Sequence, residues 1–180
     1  SKDERLKIVE ITTFRLEGKY TDKRHPDEIK FAKTIEEDLA RRDFTINALA
    51  LGIIEGMAGE LIDPFNGQQD IKDKIIRTVG NPEERFNEDA LRLMRAVRFA
   101  AELNFKIEEK TAKAIKSAGW RMEAIAKERI RDEFEKIIMT ERAGEGVREL
   151  EDAGLLKYII PELREGIGVG QNKHHIYNVW

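Results

Sequence analysis

The feature that most limits the fold is an uneven division of pattern along the chain. Strand-like, β-branched sequence is confined to the first third, and from Pro82 onward the spacing is helical almost without relief. Leu6-Lys7-Ile8-Val9-Glu10-Ile11-Thr12-Thr13-Phe14 reads as a strand. Residues 15–30 are polar and read as a long loop. Thr34-Ile35-Glu36-Glu37 has the spacing of a capping box, which starts a helix at Thr34. Apolar density over Phe44–Ile54 predicts a return to sheet, Asp63-Pro64-Phe65-Asn66-Gly67 a turn, and Ile75–Val79 a short strand. Helices are expected over 83–103, 108–118, 121–140 and 143–158, with Gly119, Gly144 and Gly154 marking breaks or ends. Strands first and helices after them mean an α+β piece followed by an all-α piece, with a boundary near residue 80.

Bulk properties exclude several classes of function. With 41% hydrophobic residues the chain can fill a core, and without cysteine it has no disulfide framework, thiolate nucleophile or Cys-type zinc site. No run of about 18 apolar residues is present, so a membrane-spanning helix is not expected, and a soluble cytoplasmic protein is the default. A balance of 32 Lys+Arg against 35 Asp+Glu leaves a net charge of −3, so any anion site must come from local clustering.

Such clustering occurs first in Asn87-Glu88-Asp89-Ala90-Leu91-Arg92-Leu93-Met94-Arg95-Ala96-Val97-Arg98-Phe99. On a helix, Ala90, Leu93, Met94, Val97 and Ala101 share one apolar arc. Asp89, Arg92, Arg95 and Arg98 step by three and trace a slanted polar ridge. A solvated face with internal Asp–Arg pairs is the plain explanation. The choice of arginine here, where Lys110, Lys113 and Lys116 occupy the next helix, favours planar recognition of phosphates or base edges. Asp89 can only accept hydrogen bonds and Arg92 can only donate them. Adenine and cytosine each present an amino donor beside a ring-nitrogen acceptor, whereas guanine and uracil present a carbonyl beside a ring N–H. An Asp/Arg pair in one plane therefore fits A and C, and a buried mismatch of this type discriminates on the order of 10⁴-fold.

The second cluster is Arg41-Arg42-Asp43-Phe44-Thr45-Ile46-Asn47-Ala48. It reads either as a helix C-terminus favouring cations, with Asp43 capping the turn and Asn47 tying backbone, or as a guanidinium on phosphate beside a carboxylate on ribose. Glu10 alternates with Val9 and Ile11, so it either faces solvent or joins other carboxylates around Mg²⁺. The adjacent His174 and His175 point apart on any regular element and make a poor pair of ligands for one metal.

Taken together, these segments resemble the class II tRNA nucleotidyltransferases and bacterial poly(A) polymerases. Arg41 to Ala48 is similar to that family's RRDFTxNA motif, and Glu88 to Phe99 to its EDxxRxxRAxRF motif. Ile62-Asp63-Pro64-Phe65 and Ile75-Ile76-Arg77-Thr78-Val79 match the stretch between, and Val9 to Arg15 and Tyr20 to Pro26 its upstream strand and flexible loop. The resemblance implies an α+β fold: a partial, polymerase-β-like mixed sheet with helices over 1–80, an all-α neck and body over 81–165, and the start of an HD-like region over 166–180. It implies addition of C, C and A to the tRNA 3′ end from CTP and ATP, with Mg²⁺ as cofactor. Asp89 and Arg92 would read the incoming base, and Arg42, Arg95 and Arg98 would hold the nucleotide, chiefly its phosphates. Asp43 would contact the ribose, Glu10 would be a catalytic carboxylate beside the metal, and the 15–30 loop would help the switch from CTP to ATP. The family's Gly-Gly loop and Asp-x-Asp metal pair are absent from these 180 residues, so this stretch alone is expected to be catalytically inactive. Alternatives within the family are a poly(A) polymerase or a CC- or A-adding enzyme. Outside it they are a non-catalytic RNA-binding fragment and, on His174 and His175 alone, an HD phosphohydrolase.

Overall fold

The structure, a computed structural model, describes residues 13–17, 29–54 and 56–170. Glu10, His174 and His175, with most of the expected first strand and of the 15–30 loop, lie outside the described residues. The ends of that loop are extended rather than irregular: β1 (Arg15–Glu17) pairs antiparallel with β2 (Ile29–Phe31), Arg15 opposite Phe31.

Helix α1 (Ile35–Ala40) begins where the capping pattern places it, with the Thr34 hydroxyl accepting from the Glu37 N–H. The reciprocal half differs, because the Glu37 carboxylate takes the N–H of Lys33 at 2.7 Å. Phe44 and Thr45 do not open a strand. Phe44 makes one bridge to Thr78, Thr45–Asn47 is a single 3₁₀ turn, and only then does β3 (Ala50–Ile54) run antiparallel to β4 (Met57–Ile62). Gly56 turns this hairpin at φ 79°, a conformation open to a residue without Cβ.

The expected turn at Asp63–Gly67 is present and feeds a helix absent from the sequence expectation, α2 (Gly67–Asp73). Asp63 caps it by accepting from the N–H groups of Gly67 at 2.7 Å and Gln68 at 3.0 Å. The next strand, β5 (Ile75–Ile76), is shorter than expected and pairs parallel with β6 (Lys106–Ile107). Among the described residues the strands form three two-stranded sheets beside the helices, in keeping with the expected α+β class.

The helix expected over 83–103 is two helices, α3 (Pro82–Glu88) and α4 (Leu91–Leu103). Asp89, at φ −147° and ψ 108°, is extended between them, so it does not share a helical ridge with Arg92, Arg95 and Arg98. Its carboxylate accepts from the Leu91 N–H at 3.0 Å and restarts the helix. The apolar arc of α4 is buried as expected, with Leu93, Met94, Ala96 and Val97 fully enclosed.

Helix α5 (Glu109–Ala118) is capped by Glu108 and ends at Gly119, where a 3₁₀ segment runs to Ala124. Helix α6 (Lys127–Ile138) follows, and the pattern expected as one helix over 143–158 is α7 (Ala143–Asp152) and α8 (Leu156–Ile159). Gly154, at φ 73°, makes that break, whereas Gly144 lies inside the first turn of α7. Short α9 (Pro161–Arg164) comes last.

One core joins the two halves of the chain. Phe44 and Ile76, both fully enclosed, pack in the same cluster as Phe86, Leu93, Met94, Ile115 and Ile137 from the helices. A polar chain makes the same crossing: Thr45 donates to Asp70 at 2.6 Å, Asp70 pairs with Arg77, and Arg77 reaches Glu108 at 3.1 Å. Among the described residues no helix is long and apolar enough to cross a membrane.

Candidate functional site

The turn after α1 is fixed from both sides. The Thr45 N–H donates to the Arg77 carbonyl at 2.9 Å and the Val79 N–H to the Asp43 carbonyl at 3.0 Å, which lays Asp43–Thr45 alongside residues 77–79. Phe44 is thereby driven into the core, edge-on to Phe99 of α4 at 5.8 Å between ring centres. Burying that ring leaves its neighbour Asp43 facing α4 with only 7% of its surface exposed. One carboxylate oxygen of Asp43 accepts from its own turn, from the Phe44 N–H at 2.9 Å and Asn47 Nδ2 at 3.2 Å. The other takes both Nε and a terminal nitrogen of Arg95, at 2.7 and 2.6 Å.

Arg92 stands one turn earlier on α4 and is only 8% exposed, in place of the solvated position that its spacing suggested. Its guanidinium meets the Glu88 carboxylate at 2.6 Å and the Arg41 carbonyl at 3.2 Å, so it is aimed by both neighbouring segments. Asp89 keeps one oxygen on the Leu91 N–H and offers the other to Arg129 of α6 at 2.7 Å. A carboxylate has about four acceptor positions, so both oxygens retain capacity for a further donor. Asp38, itself buried, pairs with Arg41 at 2.5 Å and Arg42 at 3.1 Å and holds the two guanidinium groups on the same side.

Arg41, Arg42, Asp43, Asp89, Arg92, Arg95 and Arg129 all line one open groove of about 550 Å³. Of the residues expected at a nucleotide site, Arg42, Asp43, Asp89, Arg92 and Arg95 are brought together in its wall. Arg98 is not: it pairs with Glu133 at 2.8 Å and Glu102 at 3.0 Å, and its guanidinium lies 4.1 Å from the centre of the Phe99 ring. Arg41, Asn47, Leu91, Phe99 and Arg129 complete the lining. Arg41 and Asn47 lie within the motif already singled out, and Phe99 ends the second one. Arg129 carried no local signal, because its approach to Asp89 depends on how α6 packs on α4. The groove is mostly polar with a cationic majority, as suits a small anion carrying a planar group. Among the described residues no three Asp, Glu or His side chains cluster as a metal cage.

Comparison with known proteins points the same way. Residues 1–77 match the family model for the Poly A polymerase head domain, and residues 104–167 that for the probable RNA and SrmB-binding site of polymerase A. The CCA-adding enzyme of Ligilactobacillus salivarius (strain UCC118) is 52% identical over 149 residues, which are 83% of this chain and 36% of that protein. The chain thus spans about a third of the length of the curated relatives it matches. The CCA-adding enzyme of Bacillus stearothermophilus, solved in complex with CTP, superposes with a TM-score of 0.71 at 41% identity, covering 82% of this chain and 34% of that one. A tRNA nucleotidyltransferase complexed with a primer tRNA and an incoming ATP analogue gives a TM-score of 0.66 at 36% identity, over 78% of this chain and 40% of that one.

Proposed function

Since the chain belongs to the family of class II tRNA nucleotidyltransferases and bacterial poly(A) polymerases, we propose that its groove selects CTP and ATP for template-independent CCA addition to the tRNA 3′ end. One observation supports this reading: Arg42, Asp43, Asp89, Arg92 and Arg95, drawn from two distant segments, line one groove that offers both hydrogen-bond acceptors and donors.

The roles follow from chemistry. Arg92, fixed by Glu88 and by the Arg41 carbonyl, is the donor presented to the base, and Asp89 is the acceptor beside it. Together they accommodate the amino group and ring nitrogen of adenine or cytosine and leave the carbonyl of guanine or uracil facing a carboxylate. Arg42 and Arg95 supply charge to the triphosphate, and Asp43, held by Arg95, accepts from a ribose hydroxyl. In the reaction the tRNA 3′-oxygen forms a bond to the α-phosphorus as the bond to the bridging oxygen breaks, releasing pyrophosphate and a proton. This stretch of chain contributes the recognition half of that event.

Enzymes of this family generally use a divalent metal, and Mg²⁺ is the ion we assign to the intact enzyme. The described residues offer it no cage. With tRNA as primer, the intact enzyme works in the cytoplasm. Incubating the intact enzyme with tRNAs ending before the first C, after one C and after two tests the reading. Sequential completion to CCA and no further is expected, and homopolymeric A tails on every primer would instead make it a poly(A) polymerase.

A further inference from the structure

Arg85 stands one turn before Glu88 on α3 and, with 16% of its side chain exposed, is turned inward. It lies outside the wall of the groove, as does Glu88. Its guanidinium nevertheless makes two contacts that lead to the groove from different directions. One nitrogen meets Glu88 at 2.6 Å, and another donates to the Ala40 carbonyl at 3.1 Å, 45 residues earlier in the chain. The last carbonyls of a helix have no partner within it. Arg85 takes that of Ala40 and Arg92 takes that of Arg41, so two guanidinium groups fasten consecutive carbonyls at the end of α1 to α3 and α4. Glu88 stands between them, giving one oxygen to Arg85 and the other to Arg92, each at 2.6 Å. Arg92 also donates to the Arg85 backbone carbonyl at 3.3 Å.

This linkage has a specific task, because the extended Asp89 interrupts the helix between Glu88 and Arg92. No continuous helical ladder fixes the separation of those two side chains. The Glu88 carboxylate is 31% exposed, so with Arg92 as its one partner it could swing toward water and take the guanidinium with it. A carboxylate held on both oxygens by two guanidinium groups has its plane and direction set. Arg85 supplies the second hold. Its planar fork spans the carboxylate and the Ala40 carbonyl together, whereas lysine would bring a point charge to Glu88 alone.

We propose that Arg85 is a positioning residue for base selection: it locks Glu88, and Glu88 aims Arg92 at the incoming base. The inference rests on the nucleotidyltransferase reading and extends its specificity machinery by a residue behind the groove wall. The test is single-nucleotide addition by the intact enzyme, with kcat/KM compared for ATP against GTP and for CTP against UTP. Arg85→Met keeps the apolar stem and removes the cation; it should lower both ratios at least about fivefold. Should that variant fail to fold, Arg85→Gln, which keeps a donor for the Ala40 carbonyl, is measured in its place with the same expectation. Arg85→Lys should stay within about twofold of wild type, since a cation still reaches Glu88. Combining Arg85→Met with Glu88→Ala should cost no more selectivity than Glu88→Ala alone, to within about twofold, because the arginine acts through the carboxylate. Unaltered ratios in Arg85→Met, an equal fall for all four nucleotides, losses that multiply in the double variant, or a loss in Arg85→Lys as large as in Arg85→Met overturns the proposal. Arg92→Ala separates this from the broader reading: if it collapses the ratios while Arg85→Met leaves them intact, only the positioning role falls. If Arg92→Ala leaves the ratios intact, the base-reading assignment itself is wrong.

Discussion

Arg95 of α4 clasps Asp43, 52 residues earlier in the chain, through two nitrogens on a single carboxylate oxygen at 2.7 and 2.6 Å. This pair draws the Arg41–Asn47 turn against α4 and closes the base of the groove. Asp43 is almost fully buried, so removing its cation leaves a charge with only Asn47 and one backbone N–H. Arg95→Ala should therefore lower stability by about 1–3 kcal/mol, read as a lower denaturant midpoint with unchanged slope. It should also weaken ATP, CTP, GTP and UTP binding alike. Loss of binding for only some of the four would place Arg95 at the base instead of the phosphates.

Asp89→Ala in the intact enzyme should damage the choice of base more than binding as such. Competition between ATP and GTP in single-nucleotide addition would show the ratio falling at least about tenfold, out of a possible range on the order of 10⁴. Unaltered A/C selectivity would remove Asp89 from the reading pair.

Arg129→Ala frees one oxygen of Asp89 from the 2.7 Å ion pair without touching α4. Both partners are partly exposed, so the stability change should stay within about 1 kcal/mol. Selectivity for ATP and CTP over GTP and UTP should nevertheless fall, because the acceptor loses its fixed direction. Equal selectivity in the variant and wild type would mean that the Leu91 N–H alone orients Asp89.

Asp63 gives a pH-dependent prediction. Burial pushes its carboxyl up, but the N–H groups of Gln68 and Gly67 more than offset this and hold it below the usual carboxylate range. A lowered folded-state value contributes stability above the ordinary carboxylate range and loses it as pH falls through the folded value. Asp63→Ala should thus cost about 1 kcal/mol at neutral pH, as the loss of a helix cap. Thermal melts should show the gap to wild type closing as the pH is lowered through that range. A gap independent of pH would assign the effect to packing.

The helical half was largely legible in the sequence because α4, α5, α6 and α7 each bury one face of a 3.6-residue pattern. The break at Asp89 was hidden for the same reason: Ala90, Leu93, Met94 and Val97 keep the period, and no Gly or Pro interrupts it. What stops the helix is the Asp89 carboxylate on the Leu91 N–H, local capping that periodicity does not register. Helix α2 escaped notice because Ile71 is its one large apolar residue and faces solvent. In the site, residues of both motif cores line one groove, whereas Arg98 lies outside it and Arg129, which no motif singled out, lines it. Sequence spacing put Arg98 in line with Arg95, but Glu133 and Glu102 hold its guanidinium outside the groove. Pairing between α4 and α6 is a property of tertiary packing, beyond the reach of any single segment.

The rings of Phe44 and the side chain of Ile76 sit inside the helical core, on the far side of residue 80 from most of their neighbours. A protease cut between Val79 and Pro82 should accordingly leave two pieces that stay together and melt as one. Any pivot of one half against the other would have to bend elsewhere, since a hinge here would tear an aromatic side chain out of its socket.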